Sequence, residues 1–195
     1  TGALTGIVGS NPTLSAKKKI SPPTQGFCDT IFLMNIQILP GIEGAQKAQG
    51  IVVVIDVLRA ATVSAYLLDQ GVETITPVST KEEAFSYKKL DPTLLLVGEE
   101  GGIKIPGFDI GNSPFEIKNT PNLHGKHVIQ RSSTGTQGLV NIQQASDVIF
   151  GSFVTLSAIC DFILEKNPQD VSLVPMEGHE DFMFAELLKD RILKT

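Results

Sequence analysis

The chain has 195 residues, the length of one domain, and 42% of them are apolar, enough for a full core. Its formal charge of −5, from 16 Lys plus Arg against 21 Asp plus Glu, lacks the basic footprint of a nucleic-acid-binding protein, so no nucleic-acid partner is expected. No apolar run approaches the ~18 residues of a membrane span, so no membrane partner is expected either.

Residues 1–33 are rich in Gly, Ser, Thr and Pro without periodicity. This predicts a disordered or non-native N-terminal extension, with the native start at Met34. From Met34 to Leu39 apolar and polar residues alternate as in a half-buried strand. Ile51–Ile55 contains only Val and Ile, the composition of a fully buried strand. Ala60–Gln70 then carries a helical pattern that stops at Gly71. Val72–Val78 predicts a strand. Ser79 and Thr80 cap a helix over Lys81–Leu90, with Glu82 and Glu83 in its first turn, where negative charge suits the helix dipole. Leu94–Val97 is another buried strand, and a Gly- and Pro-rich loop of about 17 residues, Gly98 to Pro114, follows it; loops that long in one domain tend to be functional. Strand Lys126–Gln130, helix Gly135–Gln144, strand Asp147–Phe150, helix Ser152–Glu165, strand Val171–Val174 and helix Glu180–Leu193 complete the series. This alternation predicts a single α/β domain over 34–195, a three-layer α/β/α fold with a mostly parallel, or mixed, sheet. The chain stops at Thr195, just past a helix, which reads as truncation at the C-terminus.

In open α/β sheets ligands bind outside the carboxyl ends of the strands. The unusual polar residues sit at those ends: Asp56 after Ile51–Ile55, Glu99 and Glu100 after Leu94–Val97, Arg131–Thr136 after Lys126–Gln130, and Glu177–Asp181 after Val171–Val174. With parallel strands all four groups converge on one rim. Asp56 needs a partner at such a site, either a metal ion or an arginine, or it caps the helix that follows. Arg59 can grip a phosphate with both arms of its fork, or form a surface ion pair. Ser132, Ser133, Thr134, Gly135 and Thr136 after Arg131 form a turn of small hydroxyl residues before a helix, suited to an anion, with a plain helix cap as the competing account. Glu99 or Glu100 can offer an oxygen to Mg²⁺, an ion usually held by one or two carboxylates plus substrate oxygens and water. Glu180 and Asp181 suit the start of a helix and, by position, are further metal-ligand candidates.

Several chemistries are excluded. Leu58 stands where a haloacid-dehalogenase-type site needs a second Asp, no cysteine is followed by an Arg at the sixth position, and no Gly-x-Ser-x-Gly elbow or Walker A loop occurs. His124, His127 and His179 lack zinc spacing, though His179 lies near the rim, where it could shuttle protons. Cys28 and Cys160 suggest no disulfide framework, and a reducing, cytoplasmic setting is the default.

Asp56-Val57-Leu58-Arg59-Ala60, Gly107-Phe108-Asp109-Ile110-Gly111-Asn112-Ser113-Pro114, Ser133-Thr134-Gly135-Thr136-Gln137-Gly138 and Gly151-Ser152-Phe153 together resemble the 2-phosphosulfolactate phosphatase (ComB-like) family, in order from about Met34 onward. The resemblance implies an α/β/α fold, Mg²⁺, and hydrolysis of phosphosulfolactate to sulfolactate on the route to coenzyme M. Under it, Asp56, with Glu99 or an acid of the Glu180–Asp181 pair, would hold Mg²⁺. Arg59, Arg131 and the 132–136 turn would neutralise phosphoryl charge, and Lys104 would meet the sulfonate. A non-catalytic phosphate- or nucleotide-binding module is the competing reading, and a homo-oligomer stays open.

Overall fold

Strands without polar residues must be covered on both faces. The computed structural model of the protein, which describes residues 34–194, covers them with helices. The expectations for residues 1–33 and for Thr195 lie outside the described residues. In chain order the elements are β1 (Asn35–Ile38), α1 (Gly41–Lys47), β2 (Ile51–Ile55), α2 (Ala60–Asp69), β3 (Thr74–Pro77), α3 (Lys81–Leu90), β4 (Leu95–Glu100) and β5 (Ile103–Lys104). There follow α4 (Pro114–Lys118), β6 (His127–Arg131), α5 (Gly135–Val140), β7 (Asp147–Gly151), a 3-10 turn (Phe153–Thr155), α6 (Leu156–Lys166), β8 (Asp170–Pro175) and α7 (His179–Leu193).

The strands divide between two four-stranded sheets, ordered β1-β8-β2-β7 and β3-β6-β4-β5. Every strand pairing is parallel except the β4–β5 hairpin, where Glu99 stands opposite Lys104. In the first sheet Val53, Ile55 and Leu173 pack against Ile159, Ile163, Phe184 and Leu188 of α6 and α7. Its other face, with Val52, Val54 and Phe150, meets Ala45 of α1, Ala60 and Ala61 of α2, and Leu139 of α5. The second sheet turns Ile75, Val97 and Val128 towards Val63 and Leu67 of α2 and Ile117 of α4. Its opposite face packs Leu96 and Ile129 against Ala84 of α3. The protein is therefore a three-layer α/β fold in which α2 belongs to both sheets. Among the described residues no helix is long and apolar enough to cross a membrane.

The sequence places α2 and α3 within a residue of where they lie, and Thr80 caps α3 by accepting from Glu83 N at 3.1 Å. It misses α1, α4 and β5, short elements with too few residues to show a period. The stretch expected to be one long loop therefore contains a hairpin strand, and Ile110 bridges in parallel to Val97. Strand β4 also runs further than expected, so Glu99 and Glu100 lie within it. Gly98 permits this: a Cβ there would press on the backbone of Arg131, including its carbonyl carbon at 2.9 Å, across the β4–β6 pairing.

Candidate active site

Asp56 leaves the tip of β2 and is buried with its carboxylate against the start of α5. Its Oδ1 accepts from Ala60 N at 3.0 Å, the first N–H of α2, although the N-cap position itself is held by Arg59, and its Oδ2 accepts from Thr134 Oγ1 at 2.9 Å. The second bond spans 78 positions and joins the tip of β2 in one sheet to the end of β6 in the other. Burial pushes the Asp56 carboxyl above its ordinary range; the donors from Ala60, Thr134 and the Gly135 backbone oppose that shift, while the nearby Asp181 adds to it.

Glu99, also buried, is the second carboxylate of the rim. Its Oε1 accepts from Ser133 N at 2.6 Å, and its Oε2 from Gly102 N at 2.6 Å and Ser133 Oγ at 3.1 Å. Arg131 lies alongside, with Nη1 donating to the Glu99 carbonyl at 2.6 Å and Nη2 3.2 Å from Glu100 Oε1. Glu100 is shared with Lys81 at 2.8 Å, and the Lys81 ammonium holds the Glu100 carboxyl below its ordinary range. The Nε of Arg131 is buried and has no partner among the described residues. Arg59, half-buried at the start of α2, reaches the hairpin tip through one contact, Nη2 to Gly102 O at 3.4 Å. Asp56, Arg59, Glu99, Arg131, Ser133 and Thr134 are thus brought together.

The remaining candidates are placed differently from the expectation. Ser132 and Thr136 close on each other, Ser132 N donating to Thr136 Oγ1 at 2.8 Å and Thr136 N to Ser132 Oγ at 2.9 Å, so their hydroxyls face inward. The donors of the turn expected to cradle an external anion are spent on the protein's own carboxylates, Ser133 N–H on Glu99 and the Thr134 hydroxyl on Asp56. Gly135 has no room for a side chain, because a Cβ would strike Asp56 Oδ2 and come within 2.7 Å of the Phe150 ring. Lys104 turns away along the hairpin and donates to Asp109 O at 2.9 Å.

Asp181 is buried, and burial raises its carboxyl. Its oxygens accept from Val57 N at 2.8 Å, Glu177 N at 3.2 Å and Gly178 N at 3.4 Å, so it ties the turn after β8 to the chain just beyond Asp56. Glu180 lies with its carboxylate over Gly178.

Among the described residues no three His, Cys, Asp or Glu side chains gather as a metal cage. Glu99 and Asp181 are each held by three donors pointing at their oxygens, where a cation would have to sit. Asp56 Oδ1 takes one donor, as do Glu99 Oε1 and Asp181 Oδ1, and a carboxylate oxygen has about two lone pairs, so an oxygen of this kind leaves a place for a hard cation shared with substrate oxygens and water. A site in which Asp56 supplies one oxygen fits this arrangement; a cage of three such side chains does not form among the described residues.

One polar residue of the rim has no role in the sequence reading. Ser152, directly after β7, is fully buried, and its hydroxyl finds no partner among the described residues. The Gly151-Ser152-Phe153 string at a strand end was the available signal.

Buried carboxylates and an arginine thus meet at the strand carboxyl ends of an α/β fold, the edge at which open α/β sheets bind their ligands. The chain belongs to the 2-phosphosulpholactate phosphatase family, whose model matches residues 38–195. It is 46% identical over 154 residues to a probable 2-phosphosulfolactate phosphatase of Carboxydothermus hydrogenoformans, covering 78% of this chain and 63% of that one. A protein of the same description from Thermoplasma acidophilum is 38% identical over 142 residues, covering 70% and 63%. Another, from Caldicellulosiruptor saccharolyticus, is 34% identical over 140 residues, covering 70% and 57%. The chain spans less than two thirds of the length of these relatives.

Proposed function

We propose that the protein is an Mg²⁺-dependent phosphatase of small, multiply charged phosphomonoesters, with 2-phosphosulfolactate, the substrate in its relatives' names, as the leading candidate. The observation that carries this reading is the Thr134–Asp56 hydrogen bond of 2.9 Å, which sets the buried carboxylate and the Arg131 turn on one rim. Asp56 would hold the Mg²⁺. When bound, such an ion neutralises charge on a phosphoryl oxygen and lowers the pKa of a bound water.

The chain's own residues supply the rest. Beside the site Arg131 presents a buried Nε with no partner among the described residues, and its other nitrogens are fixed by the Glu99 carbonyl and Glu100. A guanidinium held in this way neutralises developing charge without reorganising. Arg59, whose one side-chain tether among the described residues is its 3.4 Å contact to Gly102, can turn towards an incoming phosphate. Lys104, two positions past Gly102 on the same hairpin, would meet the second anionic group of the substrate after releasing the Asp109 carbonyl. Phosphoryl transfer depends mostly on positioning and electrostatics, so no activated Ser or Cys nucleophile is required. With 2-phosphosulfolactate the product would be sulfolactate, and the setting cytoplasmic coenzyme M synthesis.

The test is a screen of small phosphoesters, 2-phosphosulfolactate included, with parallel Mg²⁺ and EDTA arms. Phosphate release in the Mg²⁺ arm and its loss in EDTA is the expected result. Uptake of phosphate with no turnover and no metal dependence would instead identify an anion-binding module.

A further inference from the structure

Ser152 is the polar group at the rim that the proposed chemistry leaves unused. Its residue exposure is 0%, and its hydroxyl has no partner among the described residues. A buried hydroxyl without a hydrogen bond costs stability, so its presence calls for an account. Its backbone N–H is already engaged by Thr155 Oγ1 at 3.1 Å.

Strand pairing fixes where the side chain points. Strands β2 and β7 run parallel with Val54 opposite Phe150 and Ile55 opposite Gly151. Val54 and Phe150 face α1, α2 and α5, whereas Ile55 and the missing Cβ of Gly151 face α6 and α7. Side chains alternate along a strand. Ser152 continues β7 in extended conformation, φ −148° and ψ 170°, so its side chain returns to the α2 and α5 face. Asp56 occupies the equivalent position beyond β2 and points the same way, since the space at Gly135 is bounded by Asp56 Oδ2 and the Phe150 ring together. The pairing persists to this level, with Asp56 N donating to Gly151 O at 3.4 Å. Adjacent strands lie about 5 Å apart, a distance a serine hydroxyl spans to a neighbouring carboxylate with one water at most between them.

We propose that Ser152 is a positioning residue for Asp56, its hydroxyl supporting the carboxylate from the β7 side while Thr134 supports it from the β6 side. The role rests on the functional reading given above, and its decisive test does not depend on turnover. In a double-mutant cycle, Ser152→Ala, Asp56→Ala and the double variant are unfolded in urea without metal or substrate. Coupled residues give midpoint shifts that fail to add. Ser152→Ala lowers the midpoint in the wild-type background and has a smaller effect once Asp56 is gone. Additive shifts, or a midpoint that Ser152→Ala leaves unchanged or raises, overturn the proposal. In the phosphoesterase assay Ser152→Ala lowers kcat about tenfold with KM within about twofold of wild type, the scale of losing a group that orients a ligand. Ser152→Thr, which keeps the hydroxyl, restores most of kcat. A full loss of kcat in the Thr variant with an unchanged melting temperature counts against the proposal. An inactive wild type sinks the functional reading alone, and the urea cycle still decides the role of Ser152.

Discussion

Ser133 meets Glu99 twice, its N–H donating to Oε1 at 2.6 Å and its hydroxyl to Oε2 at 3.1 Å. With Gly102 N on the same Oε2, this carboxylate clasps the β4–β5 hairpin to the turn that carries Thr134. Glu99→Ala leaves those donors unsatisfied and is expected to cost about 3 kcal/mol. Glu99→Gln, which retains one acceptor oxygen, loses less. Urea unfolding of both variants gives the ranking.

Asp56→Asn is expected to lower turnover at least about a hundredfold, the scale of removing one preorganised charged contact. The same substitution has a pH-dependent effect on stability. Burial holds the folded carboxyl above the ordinary 3.8. Between 3.8 and the folded value the native state binds more protons than the unfolded chain, so this group's contribution falls as pH rises through that window. The Tm difference, variant minus wild type, therefore becomes more positive from acid to neutral pH. Calorimetry across that range checks the sign.

Arg131→Lys keeps the charge and loses the fork that reaches the Glu99 carbonyl and Glu100 together. With the charge no longer held in place by those contacts, its attraction for the substrate's phosphoryl group weakens and KM rises about tenfold. Inhibition by inorganic phosphate should weaken in step with KM, which product-inhibition kinetics will show.

Gly135→Ala puts a methyl group where Asp56 Oδ2 and the Phe150 ring already sit. Overpacking of this kind costs about 1–3 kcal/mol. Because the displaced group is the carboxylate itself, kcat falls beyond what the lower Tm alone implies. Melting curves and initial rates on the same samples separate the two.

Much of the rim was legible because Asp56 follows Ile51–Ile55 directly: a buried strand leaves little freedom in where the next side chain emerges. The same holds for Arg131 at the end of β6. The partner of each donor was not legible. Nothing in Ser132–Thr136 states that its hydroxyls and amides serve Glu99, Asp56 and each other, since those carboxylates arrive from strands far along the chain. The Val57 donor on Asp181 was hidden for the same reason, whereas those from Glu177 and Gly178 come from the turn just before it. Division into two sheets was equally invisible, because apolar strands look alike whichever sheet they join. Ser152 was missed because one serine after a strand resembles any helix cap until the register shows what it faces.

The order of the strands bears on how the protein is made. The chain completes β2, departs to build all of β3 to β6, and only then returns as β7 to lie beside the strand it left, Ile51 against Asp147. During synthesis β2 waits, unpaired, for β7 and β8, which emerge after the whole second sheet, and such distant closures are slow to form. The second sheet is one continuous stretch of chain and can assemble first. The Thr134–Asp56 contact, which joins the two sheets, should consequently form late on the ribosome, once the returning strands have closed the first sheet.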